Sequence, residues 1–80
     1  MSANEQRFSR VVSAVLGIPA DTVRDDLAPD TADTWDSLNH INLIAALEQE
    51  FGVTVAAENL ANAQTVRDLK ALLAEHGVAF

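Results

Sequence analysis

Apolar residues recur at helical spacing in three separate segments of this chain, and nowhere do they alternate over enough length to make a strand. Phe8, Val11, Val12, Val15 and Leu16 fall at i, i+3, i+4, i+7 and i+8, one face of an amphipathic helix. Gly17 can take the left-handed conformation that ends it, and Pro19 forbids continuation. A second helix is expected from Ser37 to about Phe51, with Asp36 or Ser37 as N-cap and Gly52 as its stop. Thr65-x-x-Asp68 has the form of a capping box with Asp in place of the usual Glu. It opens a last helix whose Val66, Leu69, Leu72 and Leu73 face inward. Residues 56–62, AAENLAN, predict a short helix anchored by Leu60. Val53-Thr54-Val55 is β-branched but too short and partnerless for a strand. The expected fold class is all-α: a small bundle of three main helices plus one short helix, with a long loop between the first and second helices.

That loop, from Pro19 to about Trp35, is rich in Asp, Thr, Ala and Pro, with Val23 and Leu27 as its apolar anchors. Connections of this length without regular structure are uncommon in compact domains and lean towards function. Six of the twelve acids (Asp21, Asp25, Asp26, Asp30, Asp33 and Asp36) fall in residues 21–36, opposed there only by Arg24, in a chain of net charge −7. Nucleic-acid phosphates and anionic membranes would be repelled, so neither is an expected partner. The charge either serves solubility or makes a docking face for proteins with Lys/Arg patches. Asp26, Asp30, Asp33 and Asp36 do not have the spacing of a calcium loop, and no metal site is expected.

Eighty residues make one domain, 1–80. The chain has no cysteine, so no disulfide and no thiolate metal site. Its first ten residues are polar and charged, and its longest apolar run, Leu43 to Leu47, is far short of a membrane span. A cytoplasmic monomer is the expectation.

The second helix carries more apolar surface than its position requires. Leu43, Ile44, Leu47 and Phe51 form one stripe, and Leu38, Ile41 and Ala45 a second, displaced to one side. Together they span an arc of roughly 220°, where a surface helix needs little over about 100°. Either the helix lies centrally and is buried on two sides, or the second stripe is exposed for a partner protein. Ser37 stands at the head of that stripe. It could be a helix cap or the attachment point of a phosphorylated group, since a helix N-terminus favours an anion. A catalytic grouping of Asp36, Ser37 and His40 is set aside. His40 is expected to turn towards Ile44 and Leu47, and nothing else offers an oxyanion hole or a cleft. No catalytic residue is assigned, and the chain is not expected to be an enzyme.

Asp36-Ser37-Leu38, followed by Ile41, Leu43, Leu47-Glu48, Phe51-Gly52 and then Thr65-Val66 with Asp68-Leu69, resembles the acyl carrier protein family. The similarity runs from Phe8 to Leu73. It implies that Ser37 receives 4′-phosphopantetheine from coenzyme A, transferred by a separate Mg²⁺-dependent phosphopantetheinyl transferase, with Asp36 supporting the attachment. The terminal thiol would then carry acyl groups as thioesters, which suits a chain with no cysteine of its own. Leu38, Ile41, Ala45 and Glu48 would meet acyl-loading and acyl-processing enzymes with basic docking patches, steered by the loop acids. An aminoacyl or peptidyl carrier of the same fold, or a helical adaptor in which Ser37 is only a cap, are the alternatives. Thr34 stands where fatty-acid carriers usually have Gly, and Asn39, Asn42 and Gln49 where their second helix is typically acidic. These departures favour a free-standing carrier of a specialised pathway. His40, where a small residue is frequent, reads as a half-buried packing residue with a satisfied ring nitrogen. Ala63, where the family often has a larger aliphatic residue, is expected to leave room for an acyl chain between helices.

Overall fold

The computed structural model describes residues 3–80, without the side chains of Ala57, Leu60 and Ala61, so the anchoring role expected of Leu60 lies outside the described residues. Among the described residues four α-helices follow in order: α1 (Ala3–Leu16), α2 (Ser37–Phe51), α3 (Ala57–Asn62) and α4 (Val66–Glu75), with one 3-10 turn at Ala20–Thr22. No strand occurs among the described residues, and residues 53–55 are irregular. The expected all-α bundle is the observed one.

The ends of α1 and α2 show how the two helices lie. Arg7, near the start of α1, pairs with Glu50 at the end of α2 at 2.8 Å. At the opposite end Thr34 Oγ1 donates to the Leu16 carbonyl at 2.6 Å, tying the approach to α2 to the last turn of α1. The helices are therefore antiparallel. Between them lie Phe8, Val12 and Leu16 from α1 and Leu43, Ile44 and Leu47 from α2, joined in one buried cluster by Val66, Leu69 and Leu73 of α4. Each of these positions follows from the helical spacing of the sequence.

Two helix boundaries depend on glycine. Gly17 (φ 67°) and Gly52 (φ 65°) take the left-handed conformation, which costs a residue with a Cβ more. At α4 the capping box is half conventional. Thr65 Oγ1 accepts the Asp68 N–H at 3.1 Å. Asp68 Oδ2, however, accepts from Gln64 N at 3.0 Å, so its carboxylate serves the residue ahead of the cap. At the end of α4, His76 Nδ1 lies 2.9 Å from the Leu72 carbonyl, a contact in which the ring nitrogen donates.

The long loop is not loose. Its first apolar anchors, Val23 and Leu27, are half-buried against the core, but Ala32 and Trp35 go deeper and are fully part of it. A run of local turns connects them: Thr31 and Ala32 N–H both reach the Ala28 carbonyl, and Trp35 N–H the Ala32 carbonyl, at 2.9–3.0 Å. The loop also supplies what the start of α4 lacks. The Val66 and Arg67 N–H groups have no partner within their own helix, and the carbonyls of Leu27 and Asp25 accept them, each at 3.0 Å.

Lys70 adds an electrostatic clasp on the same side, 2.8 Å from Glu5 of α1 and 3.0 Å from Asp25 of the loop. Partial burial alone would push its ammonium down, but the hydrogen bonds and charges of Glu5 and Asp25 outweigh it and raise the pKa above 10.5. A raised folded-state value means the clasp contributes fully below pH 10.5 and fades as pH climbs through the folded value. Lys70→Met keeps the aliphatic stem and loses the charge, so it should lower stability at neutral pH by about 1 kcal/mol. In urea melts, the gap between variant and parent should shrink above pH 10.5.

Candidate functional site

Everything distinctive about this molecule meets at the first turn of α2. Asp36 has extended backbone (φ −103°, ψ −175°), and its side chain accepts the Asn39 N–H at 2.8 Å. Its carbonyl accepts the first bond of the helix, from His40 N–H at 2.8 Å. Asp36 is thus the N-cap, and capping is not the work of Ser37. Ser37 becomes the first helical residue, exposed, at the positive end of the α2 dipole, in a first turn that holds no acid. Asn39 braces the turn from the other side, its Nδ2 donating to the Thr34 carbonyl at 2.6 Å.

The second apolar stripe of α2 is on the surface. Leu38 is 67% and Ile41 62% exposed, the two largest exposures among the large hydrophobic residues described. Ala45 continues the stripe and is exposed as well. The central-helix alternative is thereby excluded: α2 buries one stripe and shows the other. Glu48, next along the same side, is half-buried and its Oε2 accepts the Val55 N–H at 2.7 Å. That carboxylate closes the connection from α2 to α3 whatever else it meets.

Trp35 and His40 were not apparent as a pair from the sequence. Trp35 is 2% exposed, and its indole N–H donates to His40 Nδ1 at 3.1 Å. The two ring centroids lie 6.1 Å apart with 20° between their planes. An indole N–H can only donate, so Nδ1 is the acceptor and the ring proton sits on Nε2. His40 is half-buried with a satisfied nitrogen, as its sequence context suggests. It also meets Trp35, a partner that the reading of its helical face did not name. The signal available in the sequence was the indole itself, the largest side chain in the loop, five residues before a histidine.

A groove of about 510 Å³ opens beside Ser37, lined by Asp36, Trp35, His40, Pro29, Ala63 and Gln64. Ala63 borders this groove and also a second one of about 200 Å³ shared with Asn59, Asp68 and Leu72. Among the described residues a small void of about 10 Å³ is bordered by Ile44, Leu47, Val55, Leu69 and Leu73. Among the described residues no group of three or more His, Asp or Glu side chains is placed to hold a metal ion, and no helix is long and apolar enough to cross a membrane.

Known proteins match this chain over most of its length. The profile of a family described as phosphopantetheine attachment site covers residues 6–73. A protein of Zymomonas mobilis named acyl carrier protein is 32% identical over 76 residues, which take in 95% of this chain and 97% of that protein. The chain belongs to the acyl carrier protein family. Acyl carrier protein 4, chloroplastic, of Cuphea lanceolata is 34% identical over 67 residues, and the acyl carrier protein of Saccharopolyspora erythraea 36% over 63. These take in 84% and 76% of this chain. The chain spans about half the length of the chloroplastic relatives, 48% of the one named, and 64% of the Saccharopolyspora protein.

Family membership brings a covalently attached 4′-phosphopantetheine. The residues at the head of α2 fit such a group. A hydroxyl not engaged in capping stands where a helix N-terminus favours a phosphate, and an apolar groove begins beside it. The division of roles between the two residues is measurable. Asp36→Ala should cost about 1 kcal/mol of stability, the usual value of a cap. Ser37→Ala should stay within about 0.5 kcal/mol of the parent. Urea denaturation of both variants would show a reversed order if Ser37 were the cap.

Proposed function

We propose that this chain is an acyl carrier whose prosthetic arm is attached to Ser37 Oγ. The observation that carries the reading is the exposed hydroxyl one residue inside a helix already capped by Asp36. In the attachment step Ser37 Oγ forms the new bond to phosphorus, its proton leaves, and the pyrophosphate link of coenzyme A breaks to release the nucleotide half. A phosphopantetheinyl transferase with Mg²⁺ supplies the catalysis. Asp36 contributes a second negative charge beside the phosphate, which a divalent ion in that partner would offset. Attached there, the group supplies a thiol on a long flexible arm, where an acyl chain is held as a thioester. The chain itself carries and presents; its partners do the chemistry.

Leu38, Ile41 and Ala45 form the contact face for those partners. Two exposed branched side chains next to the attachment point favour burial against another protein. Steering comes from the loop acids. Both acids of α2 have structural work, Glu48 with the Val55 N–H and Glu50 with Arg7. Asp26, Asp30, Asp33 and Asp36 are exposed on the connection that leads to Ser37, and basic patches on partners match that surface. The polar positions Asn39, Asn42 and Gln49 on α2 favour a dedicated set of partners in a specialised pathway.

Incubation with coenzyme A, Mg²⁺ and a broad-specificity transferase should add one phosphopantetheine to the intact mass, and Ser37→Ala should abolish the gain. A parent protein that stays unmodified would leave a helical adaptor as the reading. Ile41→Glu should keep the far-UV helix signal, because the side chain is on the surface. It should slow modification or cargo transfer about tenfold, as removal of one anchor from a contact face does.

A further inference from the structure

Asn39 ties the segment ahead of Ser37 to the helix behind it twice over. Its main-chain N–H meets the Asp36 carboxylate at 2.8 Å, and its Nδ2 donates to the Thr34 carbonyl at 2.6 Å. The two bonds fall on either side of Trp35 in the chain, so residues 34–36 are folded back onto the first turn of α2. A carbonyl can only accept, which fixes the amide nitrogen towards Thr34 and leaves the amide oxygen to Asn42 Nδ2, 3.4 Å away. Thr34 carries the tie further. Its hydroxyl donates to the Leu16 carbonyl at 2.6 Å, one of those that the end of α1 leaves without a helical partner. A continuous run of side-chain bonds thus joins α1 to α2 and brackets Ser37. Exposure sets Asn39 apart from its neighbours: Ser37, Leu38, Ile41 and Asn42 are exposed, whereas Asn39 is half-buried. Its amide is turned to the loop and not to the face a partner meets.

Ser37 is the first residue of its helix, where fraying is greatest. Its Oγ has to meet phosphorus in line, and small misplacements of a reacting atom cost large factors in rate. We infer that Asn39 is a positioning residue for the transfer to Ser37: its amide locks residues 34–36 against the first turn of α2, and Thr34 passes that hold to the end of α1. In the transfer the bond from Ser37 Oγ to phosphorus forms, the pyrophosphate link of coenzyme A breaks, and the hydroxyl proton leaves. Asn39 acts on those atoms through the backbone of Ser37. Because the amide is spent inside the molecule, position 39 offers a partner no charge to read. Asp in its place would keep the size but set an acceptor against the Thr34 carbonyl, and the tie would be lost. An acid in the first turn also suits the helix dipole, so overall stability should stay near that of the parent and a slower transfer would not be the result of unfolding. The inference rests on attachment at Ser37.

The test has two readouts, the rate of loading by the transferase with coenzyme A and Mg²⁺, followed by intact mass, and amide hydrogen exchange in the unmodified chain. In Asn39→Asp, kcat for loading should fall about fivefold, the population shift that loss of one ordinary hydrogen bond allows. KM should stay within about twofold, because alignment matters in the transition state while the exposed stripe of α2 sets binding. The His40 amide, bonded to the Asp36 carbonyl, should exchange about fivefold faster in the same variant. Thr34→Val removes the hydroxyl at nearly constant shape and should lower kcat in the same way. The double variant should be no slower than the slower single one, since both side chains lie in one run of bonds. Asn39→Asp loaded as fast as the parent, or faster as a partner reading an acid there would make it, would overturn the inference. So would a loss confined to KM, the mark of a direct contact with the transferase, or losses that simply add. Should Asn39→Asp fail to fold, Asn39→Ala is read by the same split. A parent that gains no mass would overturn attachment at Ser37 itself, a separate outcome in which exchange at His40 still tests the tie.

Discussion

The bond from the Asn39 N–H to the Asp36 carboxylate, 2.8 Å long, sets where α2 begins, and the rest of the site depends on that choice. A helix must find outside partners for its first N–H groups. Had Ser37 been the one to supply them, its hydroxyl would be engaged and turned inward. With Asp36 as cap, the serine enters the helix one residue later and its oxygen stays at the surface. The same register puts Leu38 and Ile41 on the exposed side and Leu43, Ile44 and Leu47 on the core side.

Holding that turn in place is the task of the loop before it. Trp35 is driven into the core by its size, and its one polar atom is satisfied by His40, itself on the first turn of α2. Thr34 ties the loop to the end of α1, and Asn39 ties α2 back to Thr34. At the far end, Leu27 and Asp25 accept the unpaired N–H groups of α4. The loop thus joins three helices through its backbone groups and the side chains of Thr34 and Trp35. The clasp of Lys70 with Glu5 and Asp25 strengthens the same arrangement.

Charge is distributed to match. Lys70 and Arg7 each meet acids on neighbouring elements, and the two acids of α2 are committed to Val55 and Arg7. The exposed acids that remain nearest Ser37 lie on the loop. The face a partner would meet is therefore apolar along α2 and acidic along the approach to it.

The residues by themselves determined the helices and their stops. Spacings such as Phe8–Val12–Leu16 and Leu69–Leu72–Leu73, the glycines at 17 and 52, and the Thr65 cap act within one or two turns, so a linear reading suffices. The motif around Ser37 was legible for the same reason: its parts are neighbours in the chain. Three things were settled only by tertiary structure. Asp36 and Ser37 are both good caps, and the backbone geometry imposed by the loop chose between them. The two stripes of α2 are both apolar, and the positions of α1 and α4 decided which one is covered. Trp35 and His40 are five residues apart in a segment of no regular period, so their contact exists only once the loop has folded onto the bundle. Helical periodicity and caps are local forces, whereas exposure is a property of what else is packed nearby.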